Sequence, residues 1–352
     1  MRTKKIKVVI WGYGAMGSGM AKMILKKQGF EIVGICERNP LFLGKKLSEL
    51  IDFPLNQEDI IIKEKIEEIV SEASCDIVLL ATDSFTEKAY QKIVWLLKKK
   101  VNVISTAEEM AYPQAKNPEL AKKIDEIAKK NGVTVLGTGV NPGMMMDLLV
   151  VFLSGVCEDV SSINVARINS LSPFGKTVMK EQGVGLSLSE YNKLNDNGKI
   201  AGHIGFLESA MMITEAIGLR LKDFKQEMMP IITSVKRKSA HGFAKAGDVC
   251  GVDMRAKATA NNNLLIELHH PQQIEPQLGG VKTGDYITIN GNPQINMTIS
   301  PEVEGGLGTI AICVNMIPHV INAKSGLKTM LDLPVPRAIL GDVRSMIDEV
   351  NE

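Results

Sequence analysis

An excess of charge of one sign is missing from this chain: 41 Lys and Arg stand against 40 Asp and Glu, a formal net charge of +1 over 352 residues. Without a basic surplus there is no electrostatic footprint for nucleic acid or for an anionic membrane surface, and neither partner is expected. The short runs Lys98-Lys99-Lys100 and Lys236-Arg237-Lys238 read as solvated element ends. Cysteine is scarce, five in number, odd and scattered at 36, 75, 157, 250 and 313. No pair has zinc-ligand or redox spacing, which excludes a disulfide framework and points to a reducing compartment. No His, Cys and carboxylate cluster has metal-ligand spacing, so no metal is expected. Low-complexity tracts and internal repeats are absent, and so is any uninterrupted apolar run of bilayer length. The first twenty residues begin basic and turn apolar, as a signal peptide does. Four glycines interrupt them, and a strand entering a glycine loop explains those better. A soluble, cytoplasmic protein is the expectation.

What is present is enough chain for two domains, with an ordinary 45% hydrophobic content. Strand and helix signals alternate over residues 1–145, the mark of an α/β, doubly wound parallel sheet of Rossmann type. Ile6 to Trp11 is a short apolar run. Met16, Met20, Met23 and Ile24 recur at helical spacing, and Gly29 is placed as the helix C-cap. Glu31–Cys36, Asp76–Ala81, Val101–Ser105 and Val133–Leu136 read as strands, with Asn117-Pro118 opening a helix that Gly132 closes.

From about Asn141 the rhythm changes. Val160–Leu171, Met228–Val235, Val249–Ala260, Asn263–His270, Tyr286–Asn290 and Gln294–Ser300 read as strands of a mainly antiparallel sheet. One helix starts at Ser187 with Glu190 completing a capping box. Another spans Gly205–Gly218 and is expected to bury Leu207, Ala210, Met211, Thr214 and Ile217. Residues 146–310 therefore form an α+β substrate and oligomerisation domain. Residues 311–352 are expected to be helical and to pack back on the first domain, with Ile339, Val343, Met346, Ile347 and Val350 on one face.

Gly12-Tyr13-Gly14-Ala15-Met16-Gly17 matches GxGxxG, a weak pattern alone but a specific one after a first strand and before a helix. Gly12 allows the tight turn, Gly14 lets backbone approach a pyrophosphate, and Gly17 lets the helix pack on the sheet. The amides of Ala15 and Met16 then face the phosphates. Glu37 ends the second strand, where an acid accepts from the adenosine ribose hydroxyls, and Arg38 follows it. Glutamate favours NAD, whereas the guanidinium suits the extra phosphate of NADP; the pair predicts use of both, unless Arg38 is a plain surface residue. Thr82-Asp83-Ser84, Ser105-Thr106-Ala107-Glu108-Glu109 and Gly137–Gly143 follow apolar strands and are candidate cofactor-facing loops. Among these, Thr82, Ser105 and Thr106 are assigned to the cofactor, Asn141 and Gly143 to the substrate. Ordinary turn chemistry is the alternative.

With these residues placed, the chain resembles the dihydrodipicolinate-reductase-like superfamily of amino-acid dehydrogenases and reductases, and within it the 2,4-diaminopentanoate dehydrogenase family. The segments carrying the resemblance are WGYGAMGSGM (11–20), ICERNP (35–40), VNVISTAEE (101–109), GTGVNPGMMMD (137–147), GHIGFLES (202–209) and NMIPHVINAKSGLKTMLDLPVPRA (315–338). The narrower resemblance implies NAD(P)-dependent oxidative deamination of a diamino acid at C4, releasing ammonia, in ornithine fermentation. Authentic dihydrodipicolinate reductases carry paired histidines, a lysine and Pro-Ser-Gly-Thr, where this chain has Ser172-Pro173-Phe174-Gly175-Lys176-Thr177. That departure disfavours lysine biosynthesis. Another superfamily oxidoreductase, such as one acting on diaminopimelate or a cyclic imine, stays open, as does a dinucleotide-sensing regulator.

A diamino acid needs an anion site, acceptors for its ammonium groups, and a base. Gly175, Lys176 and Thr177 form a candidate carboxylate-binding glycine turn, Lys176 being equally readable as a surface lysine. His203, between glycines, is the candidate base, with Glu208 in the following helix as ammonium anchor; dipole stabilisation is the alternative for Glu208. His270 reads as a packed strand-end residue sharing a face with Leu264, Ile266 and Leu268. A homodimer or a tetramer of dimers, completed across the open antiparallel sheet, is expected.

Overall fold

The computed structural model describes residues 2–348. The chain forms two compact units, one from the residues up to Met144 together with those from Gly306 onward, the other from Met145–Gly305.

The first unit opens with β1 (Ile6–Trp11), α1 (Ala15–Leu25) and β2 (Phe30–Cys36). It continues through β3 (Ile77–Leu80), α2 (Thr86–Lys98), β4 (Asn102–Ser105), α3 (Pro118–Asn131) and β5 (Thr134–Gly137). Ile77, Val78, Leu79 and Leu80 are all buried because β3 lies inside the sheet with both faces covered. The close of α1 departs from expectation. Lys26 is its C-cap in right-handed geometry, and Gly29 lies three residues on, with φ +86°, in the turn whose carbonyl accepts from Ile6 N. Gly132 does cap α3, at φ +68°.

The second unit contains α4 (Leu148–Ser154), β6 (Asp159–Ser170), α5 (Lys176–Glu181), α6 (Leu188–Asp196) and α7 (Phe206–Ala216). These are followed by β7 (Leu221–Ile232), a short hairpin of β8 (Arg237–Lys238) and β9 (Phe243–Ala244), β10 (Val249–Ala260), β11 (Leu265–Gln273), β12 (Gly284–Asn292) and β13 (Ile295–Ile299). The sheet order is β13-β12-β6-β11-β10-β7, with β6 and β11 parallel and every other pair antiparallel. Edge strand β7 starts seven residues before the expected Met228. Lys222, Asp223, Lys225, Gln226 and Glu227 are exposed there and hide the period-two signal. The Ser187–Glu190 capping box of α6 is present. Helix α7 buries Phe206, Ala210, Met212 and Ile213 rather than the expected Leu207 and Met211. Ala210 and Thr214 are buried as expected, and the stripe is rotated because Glu208 and Ser209 also turn inward.

The chain then adds α8 (Gly305–Asn315), α9 (Ile317–Asn322) and β14 (Gly326–Lys328), which pairs parallel to β5. The first sheet therefore runs β14-β5-β4-β3-β1-β2. Three residues are too few to show periodicity, so β14 was invisible in the sequence. Gly305–Asn322 is an 18-residue helical stretch long and apolar enough to cross a membrane; half of it is buried, and Asn315 Oδ1 accepts from Ile339 N. The helix expected over the tail does not form among the described residues. Val343–Met346 is a single 3₁₀ turn capped by Asp342, which follows Gly341 and breaks the spacing; Val350 lies outside the described residues. The tail packs irregularly on the first unit through Lys27 Nζ to Ile339 O (2.5 Å) and Arg344 Nη1 to Thr3 O (2.8 Å).

Candidate active site

Strand β1 lies between β3 and β2, so the loop after it occupies the point where strand order reverses. Gly12 has φ +97°, and a Cβ there would stand 2.5 Å from the carbonyl oxygen of Ala81. A Cβ on Gly17 would stand 1.8 Å from the carbonyl oxygen of Gly12, so only hydrogen fits where α1 crosses the loop. Gly14 differs: nothing lies within 4 Å of its would-be Cβ. That open space adjoins the N-terminus of α1, which has no capping side chain and no acid in its first turn. Ala15 and Met16 are its first residues. Room, amide donors and the helix dipole fit a pyrophosphate.

Glu37 folds back onto this loop. Its Oε2 accepts from Tyr13 N (2.6 Å), and its Oε1 from Arg38 N (2.7 Å) and Asn39 N (2.8 Å). The carboxylate thus ties the second-strand turn to the glycine loop, while the Arg38 side chain is exposed. Thr82 stands at the end of β3 with its methyl against Gly12, and its hydroxyl donates to Asp83 Oδ2 (2.6 Å). Lys92 donates to both, at 2.8 Å and 2.6 Å, a partner that reading the loop alone missed. The Ser105 hydroxyl is buried and accepts from Ala107 N, so it faces its own chain; Thr106 N donates to Leu80 O. Glu109 is buried and accepts from Thr86 N (2.9 Å) and Lys116 Nζ (3.1 Å), whereas Glu108 is half-buried past the carboxyl end of β4. Asn141, half-buried, and Gly143, with φ +126°, follow β5. The expected cofactor positions thus collect along the carboxyl edge of one sheet.

In the second unit the sheet face packed against α7 is aliphatic for most of its length, through Ile163, Val165, Ile266, Leu268, Ile287 and Ile289. It turns polar at the carboxyl ends of the parallel strands, where Arg167 and Asn169 on β6 meet His270 and Gln272 on β11. Arg167 is 2% exposed and donates to Asp285 and to the Val303 carbonyl. Asp285 Oδ2 accepts from Val303 N (2.9 Å), completing the pairing a buried charge requires. His270 Nδ1 lies 2.6 Å from the Arg167 carbonyl. A carbonyl only accepts, so Nδ1 carries the proton and Nε2 is the acceptor. Burial, aided by the neighbouring His203 and Arg167, holds the His270 pKa well below the usual histidine range.

His203 and His270 meet edge to face with ring centroids 4.8 Å apart, and His203 also touches Phe206. His203 and His270, read separately in the sequence, meet in the structure. Strand β11 runs on to Gln273, so His270 is not its terminal residue. Glu208 is 1% exposed in the first turn of α7. Beside it Ser209 donates to Asp147 Oδ2 (2.8 Å), and Asp147 caps α4. The expected glycine turn at 175–177 is instead the start of a helix: Gly175 is the extended N-cap of α5, with φ −77° and ψ 175°, and Lys176 and Thr177 are its first two residues, both exposed.

Residues 144–349 match the family model of the 2,4-diaminopentanoate dehydrogenase C-terminal domain. The chain belongs to the 2,4-diaminopentanoate dehydrogenase family. Residues 6–136 match the model described as dihydrodipicolinate reductase, N-terminus. The 2,4-diaminopentanoate dehydrogenase of Acetoanaerobium sticklandii is 56% identical over 347 residues, spanning 98% of each chain. The solved amine dehydrogenase from Mycobacterium smegmatis superposes with a TM-score of 0.84 at 25% identity, over 95% of this chain and 98% of that one. Dihydrodipicolinate reductase from Paenisporosarcina sp., at TM-score 0.50 and 14% identity over 93% and 98%, shares the fold alone. This family member is an NAD(P)-dependent amino-acid dehydrogenase.

Sequence reasoning about this dehydrogenase passed over Arg167, Asn169, Gln272 and Asp285. A signal existed: Arg167 and Asn169 continue the alternation of Ile163 and Val165 and so put polar groups on a core face. Their match with His270 and Gln272 needed the pairing of β6 with β11, which no local pattern encodes.

Proposed function

We propose that this dehydrogenase oxidises the C4 amine of 2,4-diaminopentanoate to 2-amino-4-oxopentanoate and ammonia. Similarity to a 2,4-diaminopentanoate dehydrogenase along 98% of both chains carries the reading. When bound, NAD or NADP supplies the oxidant, taking two electrons and one hydrogen from C4 as hydride. The amine nitrogen loses a proton, a C=N bond forms, and water then replaces nitrogen at C4. Gly12, Gly14, Ala15, Met16 and Gly17 would hold the pyrophosphate, Glu37 the adenosine ribose and Arg38 the additional phosphate of NADP, so both cofactors would serve. Thr82, Ser105 and Thr106 would line the path, Ser105 through backbone since its hydroxyl is turned inward.

The remaining roles fall to the protein. An alkylammonium has a pKa near 10.4 by the lysine reference, so a base must take its proton before C4 can release hydride. His203 is that base in this reading, and Glu208 anchors an ammonium group. Glu108, half-buried at the carboxyl edge of the cofactor-side sheet, is the second candidate acceptor. Asn141, Gly143, Gly175, Lys176 and Thr177 would contact the substrate, the last three from the N-cap and first turn of α5. The reading also includes a cytoplasmic enzyme of ornithine degradation, a homodimer or dimer-based tetramer built through the second sheet. Cofactor reduction over a panel of diamino acids, with ammonia measured in parallel, tests it. One ammonia per reduced cofactor with 2,4-diaminopentanoate is expected; reduction only with diaminopimelate would overturn it.

A further inference from the structure

The loop after β5 leaves its sheet but stays inside the protein. Thr138 N still donates to Ser105 O (3.0 Å), the last rung shared with β4. Beyond it the chain belongs to no strand, yet Gly139, Val140, Pro142 and Gly143 are buried. A buried amide outside a sheet needs an acceptor from elsewhere in the fold. Val140 N finds one in Thr309 Oγ1 on α8, 3.1 Å away and 169 residues further along the chain. One turn on, Cys313 Sγ donates to Thr138 O (3.7 Å). Positions four apart share a helix face, so two turns of α8 grip two points of one loop. Over residues 306–314, Thr309 and Cys313 are the only side chains with a hydrogen-bonding atom; the others are Gly, Leu, Ile, Ala and Val. An otherwise apolar stretch thus commits both of its polar side chains to residues 138–140. The same helix also touches α1: a Cβ on Gly19 would stand 2.2 Å from Ile310 Cδ1, and one on Gly306 would stand 3.5 Å from Met16 Cε. All of these residues belong to the first unit.

We propose that Thr309 is a positioning residue for the nicotinamide half of the cofactor. Its hydroxyl, backed by Cys313, holds the Val140 amide and so fixes residues 138–143 in the conformation that receives the nicotinamide ring. The direction of the cofactor follows from strand order. Glu37 stands on the β2 side of β1, so adenosine lies there and the nicotinamide half runs the opposite way, over β3 and β4 toward β5. Helix α8 then supports both ends of that path, α1 beneath the pyrophosphate and the loop beneath the ring. Thr309 needs no contact with the cofactor for this; it acts through the loop, whose shape is lost when Val140 N has no acceptor. The inference deepens the proposed function and rests on its placing of the cofactor along this edge.

Two variants and two ligands test it. Thr309→Val keeps the side-chain volume and removes the acceptor, whereas Thr309→Ser keeps the acceptor. ADP-ribose carries the adenosine and pyrophosphate without the nicotinamide, and NADH carries all three. Hydrogen exchange of the Val140 amide in the ligand-free chain should speed up by roughly 10-fold in Thr309→Val and stay near the wild-type rate in Thr309→Ser. Thr309→Val should bind ADP-ribose as the wild type does and NADH roughly 5–10-fold more weakly, with Thr309→Ser restoring NADH. Wild-type NADH affinity in Thr309→Val overturns the role, and so does unaltered exchange at Val140. An equal loss of both ligands, or no recovery in Thr309→Ser, marks a general structural contribution and overturns it as well. A wild-type chain that binds neither ligand overturns the placing of the cofactor and the positioning with it. If the binding pattern is as expected while 2,4-diaminopentanoate is not oxidised at C4, the positioning stands and the proposed reaction falls.

Discussion

The glycine loop of the first unit and the polar rungs of the second are built from opposite materials. The loop is backbone: hydrogens at Gly12 and Gly17 make room, and amides at the start of α1 present the donors. The rungs are side chains, with Arg167 and His270 brought together across 103 residues of sequence. A backbone site is damaged by adding atoms, a side-chain site by removing them. Substitutions in the two regions should therefore fail in different ways.

The largest effect belongs to the loop. Gly17→Ala places a methyl 1.8 Å from the Gly12 carbonyl oxygen, a contact that no rotamer relieves. Loss of NAD(P) binding by fluorescence titration should accompany a destabilisation of about 1–3 kcal/mol or more, the scale of overpacking. Gly14→Ala sharpens the contrast. Its φ of −71° suits alanine and its surroundings are open, so the fold should hold or gain about 0.4–1 kcal/mol while cofactor binding weakens. A Gly14→Ala protein that binds NAD(P) as tightly as the wild type would break the assignment of that space to the pyrophosphate.

Next in size is removal of a group. His203→Asn should lower kcat by about 10²–10⁴ and leave NAD(P) affinity nearly unchanged, since His203 belongs to the other unit. Near-native turnover across the pH range would remove His203 from the mechanism, and Glu108→Gln would then be the decisive variant. Arg38→Ala is expected to weaken NADP by roughly 10–100-fold and NAD little, the scale of charge-assisted hydrogen bonds to a phosphate. Equal losses for both cofactors would return Arg38 to the plain surface.

The smallest effect is a slope. His270 has a lowered pKa in the folded chain, so between pH 7 and 5 the unfolded chain gains a proton that the folded chain refuses. Its contribution to stability is present above the unfolded histidine pKa near 6.5 and is lost as pH falls toward the folded value. His270→Gln should flatten the acid side of a plot of unfolding temperature against pH. An unchanged slope would show that His270 is protonated in the fold.

These contrasts match what each region disclosed before folding. The turn of Gly12, Gly14 and Gly17 was legible because it lies within one strand–loop–helix unit, where spacing equals geometry, and Glu37 stands at the end of the neighbouring strand. His203 was legible as a reactive residue type, yet its neighbour was not. The tail misled for a related reason: Ile339, Val343 and Ile347 are buried at helical intervals, but Gly341 and Asp342 turn the chain between them. Apolar spacing records burial, and an irregular segment can bury the same positions.

Local order along the chain was enough to determine a glycine loop after the first strand, the α/β character of the first unit and the mainly antiparallel character of the second. Each depends on interactions within a few residues or on periods of 2 and 3.6. Tertiary structure alone decided that β14 extends the first sheet and that β6 runs parallel beside β11. It alone placed Asn169 opposite Gln272 on a buried face. Strand partners are chosen by the packing of whole layers, and a one-residue change of register would turn those amides to the opposite face, so their meeting is a property of the fold.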